Sequence, residues 1–230
     1  MVDIFISGQE GRIETRYLPP RTPAFPVAII LHPHPLQGGR LDNAVIQTIS
    51  CAFHQQGFGT MRFNFRGVGN SEGLYSGGEG ELNDTATIVD WLQSSQRVAH
   101  RLWIAGFSFG SWIAMQLLMR RPEIEGFVIA SPPSHSFDFS FLAPCPVSGQ
   151  IIYGKDDSII PQESVDNLAA KLNAQKGIDI DYKVLDGADH SFNNKLDALF
   201  QTISLYIQKV VETDYPHLLE EPKGPMVRVL

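Results

Sequence analysis

An apolar run passes into a helical pattern through a short turn in Leu102-Trp103-Ile104-Ala105-Gly106-Phe107-Ser108-Phe109-Gly110. The run before the turn has the length and composition of a buried β-strand, and a helical pattern starts at Phe109. Gly106 and Gly110 carry no side chain, so a strand and a helix can approach closely here while Ser108 projects from the turn. The segment predicts a strand, a tight turn with an accessible serine hydroxyl, and a helix.

Short apolar runs and longer helical patterns alternate on both sides of this turn. The predicted strands occupy 27–31, 60–65, 102–107, 127–130, 147–153 and 180–185, after an antiparallel edge hairpin of 3–6 and 13–18. The predicted helices occupy 43–56, 82–93, 109–121, 162–175 and 195–212. Strands rich in Ile, Val and Phe that alternate with helices are typical of an α/β fold with a mostly parallel central sheet and helices on both faces.

Length and composition favour one enzyme-like domain. The chain has 230 residues, of which 43% are hydrophobic and 19% charged, which is ordinary for a globular protein with one well-buried core. We expect a single domain over 1–212 and an extended tail over 213–230, where three prolines follow the last helical pattern. The connection 131–146 is too short for a lid, so an open site without a cap domain is expected.

The charge and the cysteines exclude several kinds of partner. A net charge of −7 argues against nucleic acid, because phosphate binding requires a basic surface. No stretch resembles a signal peptide or a membrane span, so we expect a cytoplasmic protein with a small-molecule substrate and no membrane partner. Cys51 and Cys145 lack metal-binding or redox spacing and are expected to be buried thiols, with no cofactor or metal implied. The oligomeric state stays open between a monomer and a homodimer.

Two later loops supply the partners that a reactive serine needs. A serine hydroxyl requires a general base, normally a histidine oriented by a carboxylate. The segment 154–161 contains Asp156 and Asp157 after one predicted strand, and the segment 186–192 contains His190 after the next. Both loops leave the carboxyl ends of their strands, the edge at which open α/β sheets place their sites. We take His190 as the base, because the only later histidine lies in the predicted tail.

With these loops, the chain resembles the α/β-hydrolase superfamily over 27 to about 211, and within it the small lidless branch with a His-Pro-His-Pro loop, here at 32–35. The superfamily places its acid in the pattern G-x-x-D-x-x-x-P, which Gly154, Asp157 and Pro161 match. The resemblance therefore implies a triad of Ser108, His190 and Asp157.

Three other carboxylates come near this pattern without fitting it. Asp156 falls one position early and is interpreted as a solvated loop residue. Asp138 occupies an alternative acid position of some relatives and is interpreted as a loop or cap residue. Asp189 is the chain neighbour of the histidine and is poorly placed to orient its ring.

The expected oxyanion hole combines the backbone N–H of Phe109 with an N–H from the His-Pro-His-Pro loop. The two prolines of that loop have no N–H to donate. His34, in the position that follows the family's His-Gly pair, is the first choice, and Leu36 is the second. A metal site at His32 and His34 is the alternative, but no further ligand lies nearby in the sequence, so a structural His32 is preferred.

The stretch 62–73 resembles the family's D-x-R-G-x-G-x-S-x-G loop, with Asn64 at the position where aspartate is common. The resemblance implies a loop that braces the site. Arg66 is either a structural bridge to loop backbone or a ligand of a substrate carboxylate. A phosphate-binding loop is excluded because the stretch lacks the GK[ST] ending.

The resemblance implies a serine hydrolase that cleaves a small carboxylic ester through an acyl-enzyme. A peptidase or amide hydrolase and a lactone hydrolase remain as alternatives, although dienelactone-type enzymes typically carry cysteine where this chain has Ser108. A catalytically silent binding protein is the alternative from another class. Phe137, Phe139 and Phe141 either line an entrance or pack beside the core.

Overall fold

An eight-stranded sheet forms the centre of the computed structural model, which describes residues 2–94 and 101–219. The strands are β1 (Val2–Gly8), β2 (Gly11–Leu18), β3 (Val27–Leu31), β4 (Gly59–Phe63), β5 (Leu102–Phe107), β6 (Ile124–Ala130), β7 (Gly149–Gly154) and β8 (Ile180–Leu185). Their order across the sheet is β1-β2-β4-β3-β5-β6-β7-β8. β2 pairs antiparallel with β1 and β4, and the remaining pairs are parallel. The predicted fold class and the edge hairpin are confirmed.

Helices cover both faces of this sheet. They are α1 (Ala44–Gln55), α2 (Glu79–Ser94), α3 (Phe109–Leu118), α4 (Gln162–Asn173) and α5 (Leu196–Asp214). α1 and α5 pack on one face, and α2, α3 and α4 on the other. The buried strand β3 contributes to both cores, since Ile29 and Leu31 face one layer while Ala28 and Ile30 face the opposite one. Alternate side chains of the central strands are thus apolar on both sides, as parallel sheets require.

β4 ends at Phe63, two residues before the predicted end. The Asn64 N–H still donates to the Glu14 carbonyl of β2 at 2.9 Å, but the N–H of the next residue is taken by a group outside the sheet. The Phe65 N–H donates to the imidazole Nε2 of His32 at 3.0 Å, and the Asn64 side-chain oxygen accepts the Leu41 N–H at 2.8 Å. β6 begins three residues before its predicted start, and β7 is shifted to 149–154.

Two helix boundaries differ from the prediction by three residues, and the others by two or fewer. α2 begins at Glu79, three residues early, because the carboxylate of Glu81 accepts the N–H of Gly78 at 2.7 Å and caps the first turn. α3 ends at Leu118, three residues before the predicted end. Pro122 follows closely, and a proline disfavours helical geometry in the residue before it.

The extended tail predicted from residue 213 onward begins differently. α5 continues to Asp214, and Tyr215 is buried in the core on the face of the sheet that α1 and α5 cover. The Tyr215 hydroxyl accepts the indole N–H of Trp103 at 3.1 Å. A 3-10 turn follows at Pro216–Leu218. The extended conformation is therefore wrong for this part, and the rest of the predicted tail, 220–230, lies outside the described residues.

The two cysteines differ in environment. Cys145 is buried, as expected, but Cys51 is exposed. Its neighbours Ser50 and Ala52 occupy the buried positions of α1, which turns Cys51 outward. Within residues 2–94 and 101–219, no helix combines the length and apolar character needed to cross a membrane.

Candidate active site

Ser108, Asp157 and His190 follow β5, β7 and β8 at the carboxyl edge of the sheet. These strands lie in the consecutive order β5-β6-β7-β8, so the loops that leave their carboxyl ends are close in space. The structure thus brings the three predicted residues to one edge.

Ser108 lies in a strained turn between β5 and α3. Its φ and ψ are 53° and −121°, a region that L residues rarely occupy. The Ser108 N–H donates to the Ala130 carbonyl at 2.9 Å, and the Ser108 carbonyl accepts the N–H and the hydroxyl of Ser111 at 2.9 and 2.6 Å. These bonds hold a backbone geometry that would otherwise relax.

The flanking glycines are required by close backbone approach. A Cβ on Gly106 would lie 2.4 Å from the Gly110 carbonyl oxygen, and a Cβ on Gly110 would lie 2.3 Å from the Leu31 carbonyl oxygen. Neither position accepts a side chain without moving the strand or the helix. This explains the spacing that the sequence shows around Ser108.

Asp157 and His190 form a hydrogen-bonded pair. The His190 Nδ1 lies 2.8 Å from the Asp157 Oδ2, and the carboxylate is fully buried. Its other oxygen accepts the N–H groups of Ile159 and Ile160 at 2.8 and 2.9 Å. Burial raises the pKa of Asp157, but the bonds to His190 and to the two N–H groups outweigh it, and the net effect lowers this pKa. An ionised carboxylate only accepts, so Nδ1 carries the proton and Nε2 is left as the acceptor.

The other candidate acids lie elsewhere. Asp156 is exposed. The carboxylate of Asp138 accepts the N–H and the hydroxyl of Ser140 at 2.8 and 2.9 Å, and that of Asp189 accepts the Asn193 N–H at 2.8 Å. Among the described carboxylates, only that of Asp157 meets the His190 ring.

Two contacts tie the His190 loop to the ends of β5 and β6. The His190 ring packs 5.2 Å, centroid to centroid, from the ring of Phe107. The Ser131 hydroxyl donates to the His190 carbonyl at 3.3 Å. Within the described residues the Ser108 hydroxyl makes no hydrogen bond. A hydrogen bond between a catalytic serine and its base is often long until a substrate is bound.

Backbone strain is concentrated at this edge. In the described part of the chain, the residues other than glycine with positive φ are Ser108, Ser131, Phe192 and Asn194, at 53°, 45°, 55° and 59°. Ser108 and Ser131 directly follow β5 and β6, and Phe192 and Asn194 lie in the loop after β8 that carries His190. Strained residues of this kind persist where the surrounding structure imposes them, often at functional sites.

Backbone donors lie on two sides of the Ser108 turn. The N–H of Phe109 is the first of α3 and has no partner inside the helix. In the loop after β3, the Leu36 N–H donates to the Nδ1 of His34 at 3.2 Å. The second-choice donor is therefore engaged within its own loop, and His34 stays the candidate from this loop.

His32 fills the structural role expected of it. Its buried ring lies 2.6 Å from the Pro33 carbonyl oxygen through Nδ1, and its Nε2 accepts the Phe65 N–H. Burial lowers the pKa of His32 to about 4, so the ring is neutral. His34 also engages both ring nitrogens, with the Leu36 N–H and with the Tyr75 hydroxyl at 3.1 Å. Neither ring offers a free nitrogen to a metal ion.

Arg66 forms a buried bidentate ion pair with Asp84 on α2. Its Nε and Nη2 donate to the two carboxylate oxygens at 3.0 and 2.7 Å, and the side chains are 8% and 3% exposed. This corrects the substrate-binding alternative, because the guanidinium is already occupied. It also corrects the expected structural partner, because the side chain bonds to a helix carboxylate where a bridge to loop backbone was expected.

An aromatic cluster surrounds the Phe109 ring, and no sequence pattern predicted its members Tyr75 and Trp112. The rings of His34, Tyr75, Trp112 and Phe137 lie 4.9, 6.1, 5.7 and 5.8 Å from it. Trp112 lies one helical turn after Ser108, a spacing that could have indicated it. Phe137 packs on Trp112 at 4.5 Å, whereas Phe139 is buried in the core and stacks with Phe141.

The loops around this edge also expose three large apolar side chains. Leu36, Leu74 and Ile159 are 72%, 82% and 61% exposed. They lie on the loops that follow β3, β4 and β7, the loops that also carry His34, Tyr75 and Asp157.

Comparison with known proteins identifies similar chains. The dienelactone hydrolase family matches residues 73–216. An uncharacterised protein of Rickettsia prowazekii is 45% identical over 221 residues, and the match covers 94% of this chain and 92% of that protein. The crystal structure of an Agrobacterium tumefaciens protein of unknown function, provisionally described as an α/β-hydrolase, is 46% identical with a TM-score of 0.89 and covers 96% of this chain and 100% of that chain. An α/β serine hydrolase without a lid from Xanthomonas campestris is 27% identical with a TM-score of 0.81, over 90% of this chain and 94% of that chain.

Proposed function

Because the chain belongs to the dienelactone hydrolase family and is a hydrolase of ester-like bonds, we propose that it cleaves small carboxylic esters. In this proposal Ser108 is the nucleophile, His190 is the general base, and the Asp157 carboxylate orients His190. The observation that carries this proposal is the 2.8 Å contact between His190 and the buried Asp157 carboxylate, at the same sheet edge as the strained serine.

The proposed reaction proceeds in two steps. The Ser108 oxygen attacks the ester carbonyl carbon while the His190 Nε2 takes the hydroxyl proton. The oxyanion accepts hydrogen bonds from the N–H groups of Phe109 and His34. The carbon–oxygen bond to the leaving group then breaks, and His190 returns the proton to the departing alcohol. A water molecule, deprotonated by His190, then attacks the carbonyl carbon of the acyl-enzyme. The bond from this carbon to the Ser108 oxygen breaks, His190 returns the proton to that oxygen, and the carboxylic acid leaves.

The surroundings of Ser108 favour an ester with an apolar acyl group. Trp112 and Phe137 offer aromatic surface beside Phe109, and Leu36 and Leu74 are exposed on the loops that also carry His34 and Tyr75. The buried pair of Arg66 with Asp84 leaves that cation unavailable to a substrate carboxylate. The described residues form no cap domain over the sheet edge, which argues against a peptide as the substrate.

A lactone hydrolase is the second candidate, and the family match itself favours it. A lactone is a cyclic ester, so the same serine would open the ring and the alcohol would stay attached to the acyl group. Relative rates on lactones and on open-chain esters of the same acyl length separate the two candidates.

The first test replaces the proposed nucleophile. Ser108→Ala should lower kcat on short p-nitrophenyl esters by at least about 10³-fold and abolish labelling by a fluorophosphonate probe, because no hydroxyl remains to form the covalent adduct. Ser111→Ala serves as the matched control, since Ser111 lies three residues after Ser108 in the first turn of α3 but its hydroxyl bonds to backbone carbonyls. Labelling that survives in Ser108→Ala, or that disappears only in Ser111→Ala, contradicts the assignment.

A further inference from the structure

A hydrogen-bonded chain that the proposed triad does not use runs from Leu36 through His34 to Tyr75. The Leu36 N–H lies 3.2 Å from the His34 Nδ1, and the His34 Nε2 lies 3.1 Å from the Tyr75 hydroxyl oxygen. A backbone N–H only donates, so the Nδ1 of His34 accepts and carries no proton. The proton of the neutral ring is therefore on Nε2, which faces Tyr75.

The environment keeps both side chains neutral. Burial lowers the pKa of His34, and the charge of Glu81 offsets this only in part. Burial also raises the pKa of Tyr75, with a further contribution from Glu81. The His34 Nε2–H therefore donates to the Tyr75 oxygen, and Tyr75 keeps a hydroxyl proton that His34 does not use. Within the described residues, this hydroxyl has no other hydrogen-bond partner.

This hydroxyl belongs to the cluster that contains both proposed oxyanion donors. The rings of His34 and Tyr75 pack 5.0 Å apart, and both pack on the ring of Phe109. Phe109 follows Ser108 and supplies one backbone N–H, and His34 supplies the other. An unused donor is thus held against the two residues that flank the developing charge.

We propose that the Tyr75 hydroxyl is a third donor to the substrate carbonyl oxygen, and that the His34 side chain positions it. This inference rests on the proposed esterase function and names a further catalytic residue for it. The bond strengthens as the carbonyl oxygen becomes an oxyanion, which is the condition for an effect on kcat. The bond from His34 polarises the hydroxyl and improves it as a donor.

Tyr75→Phe tests the proposal, because it removes the hydroxyl and keeps the aromatic ring. We expect kcat on p-nitrophenyl butyrate to fall by about 10- to 100-fold with KM changed by less than about twofold, since the contact acts in the transition state. The Tyr182→Phe variant is the matched control. It removes a hydroxyl that bonds to Asp166 on α4, away from the site, and should leave kcat unchanged.

A second variant separates positioning from direct contact. In His34→Asn the amide oxygen can still accept the Leu36 N–H, but the side chain is too short to reach Tyr75, and the backbone N–H is retained. We expect kcat to fall by about 3- to 10-fold in the wild-type background and not to fall further in Tyr75→Phe, because positioning acts through the hydroxyl. Equal losses in both backgrounds contradict a role of the His34 side chain through Tyr75.

A trifluoromethyl ketone provides a readout that a merely structural role would not change. It adds to a reactive serine as an oxyanion, so its inhibition constant should rise in Tyr75→Phe by the same factor as kcat falls, while that of the product carboxylic acid stays constant. Unchanged kcat and inhibition constants in Tyr75→Phe, or a change in KM alone, overturn the role of Tyr75. If wild-type Ser108 resists the fluorophosphonate probe, the proposed function itself fails, which is a distinct outcome.

Discussion

Three hydrogen bonds hold the Asp157 carboxylate, and they determine what an amide in its place would do. Oδ1 accepts two backbone N–H groups, so the oxygen of an asparagine would stay there and its NH₂ would face His190. His190 would then accept at Nδ1 and carry its proton on Nε2. That tautomer cannot take the proton of Ser108. We expect Asp157→Asn to lower kcat by about 10³- to 10⁴-fold in steady-state ester hydrolysis.

The adjacent aspartate supplies the control for this substitution. Asp156 is exposed and makes no contact with His190, so Asp156→Asn should change kcat by less than about twofold. A loss in Asp156→Asn that equals the loss in Asp157→Asn would contradict the assignment of the acid.

Local patterns identify some site residues and leave others hidden. Ser108, Asp157 and His190 each follow a predicted strand in a recognisable motif, so the sequence predicts that they meet at one edge. The link between His34 and Tyr75 joins loops 41 residues apart and has no pattern of its own. Such partners depend on side-chain directions that only the folded chain defines.

At the scale of elements, the pair of Arg66 and Asp84 fixes the loop after β4 to helix α2. Arg66→Met leaves a buried carboxylate without its partner and should lower the free energy of unfolding by about 3–5 kcal/mol in denaturant titration. Adding Asp84→Leu should recover much of this loss, because no unpaired charge remains. If Arg66→Met raised KM and left the unfolding free energy unchanged, the arginine would be a substrate ligand.

Element boundaries follow the sequence where packing alone decides them. β3, β5 and β8 begin and end where the apolar pattern predicts, since these runs are bounded by polar or turn residues. β4 and α2 differ because backbone N–H groups at their ends donate to the side chains of His32 and Glu81. A tertiary partner of this kind adds or removes residues at a boundary without changing the hydrophobic pattern.

At the scale of the whole molecule, the fold depends on a neutral His32. An unfolded histidine has a pKa of about 6.5, and burial lowers that of folded His32 to about 4. Protonation of this histidine therefore favours the unfolded chain as the pH falls from 6.5 towards 4. The contribution of neutral His32 to the free energy of unfolding is fully present above that range. His32 alone should lower the free energy of unfolding by about 2 kcal/mol between pH 7 and pH 5.

Denaturant titrations at several pH values test this dependence. His32→Gln keeps an amide donor and acceptor in the buried site but does not titrate, so its free energy of unfolding should lack this part of the pH dependence. The difference between wild type and variant is the relevant quantity, because carboxylates contribute equally to both. Parallel curves for the two proteins would show that His32 does not control acid stability.

Ser108, Ser131, Phe192 and Asn194 have positive φ, and at Ser108 this places the stability of the chain in conflict with its proposed activity. Each such residue costs about 1–3 kcal/mol that glycine would largely avoid. A laboratory population selected only for survival of heating would therefore accumulate glycine at Ser108, Ser131 and Asn194 but keep the Phe192 ring, which is fully buried in the core. At Ser108 it would discard the proposed nucleophile. Selection for heat resistance must therefore be coupled to selection for catalytic turnover, because otherwise the most stable variants would lack the proposed nucleophile.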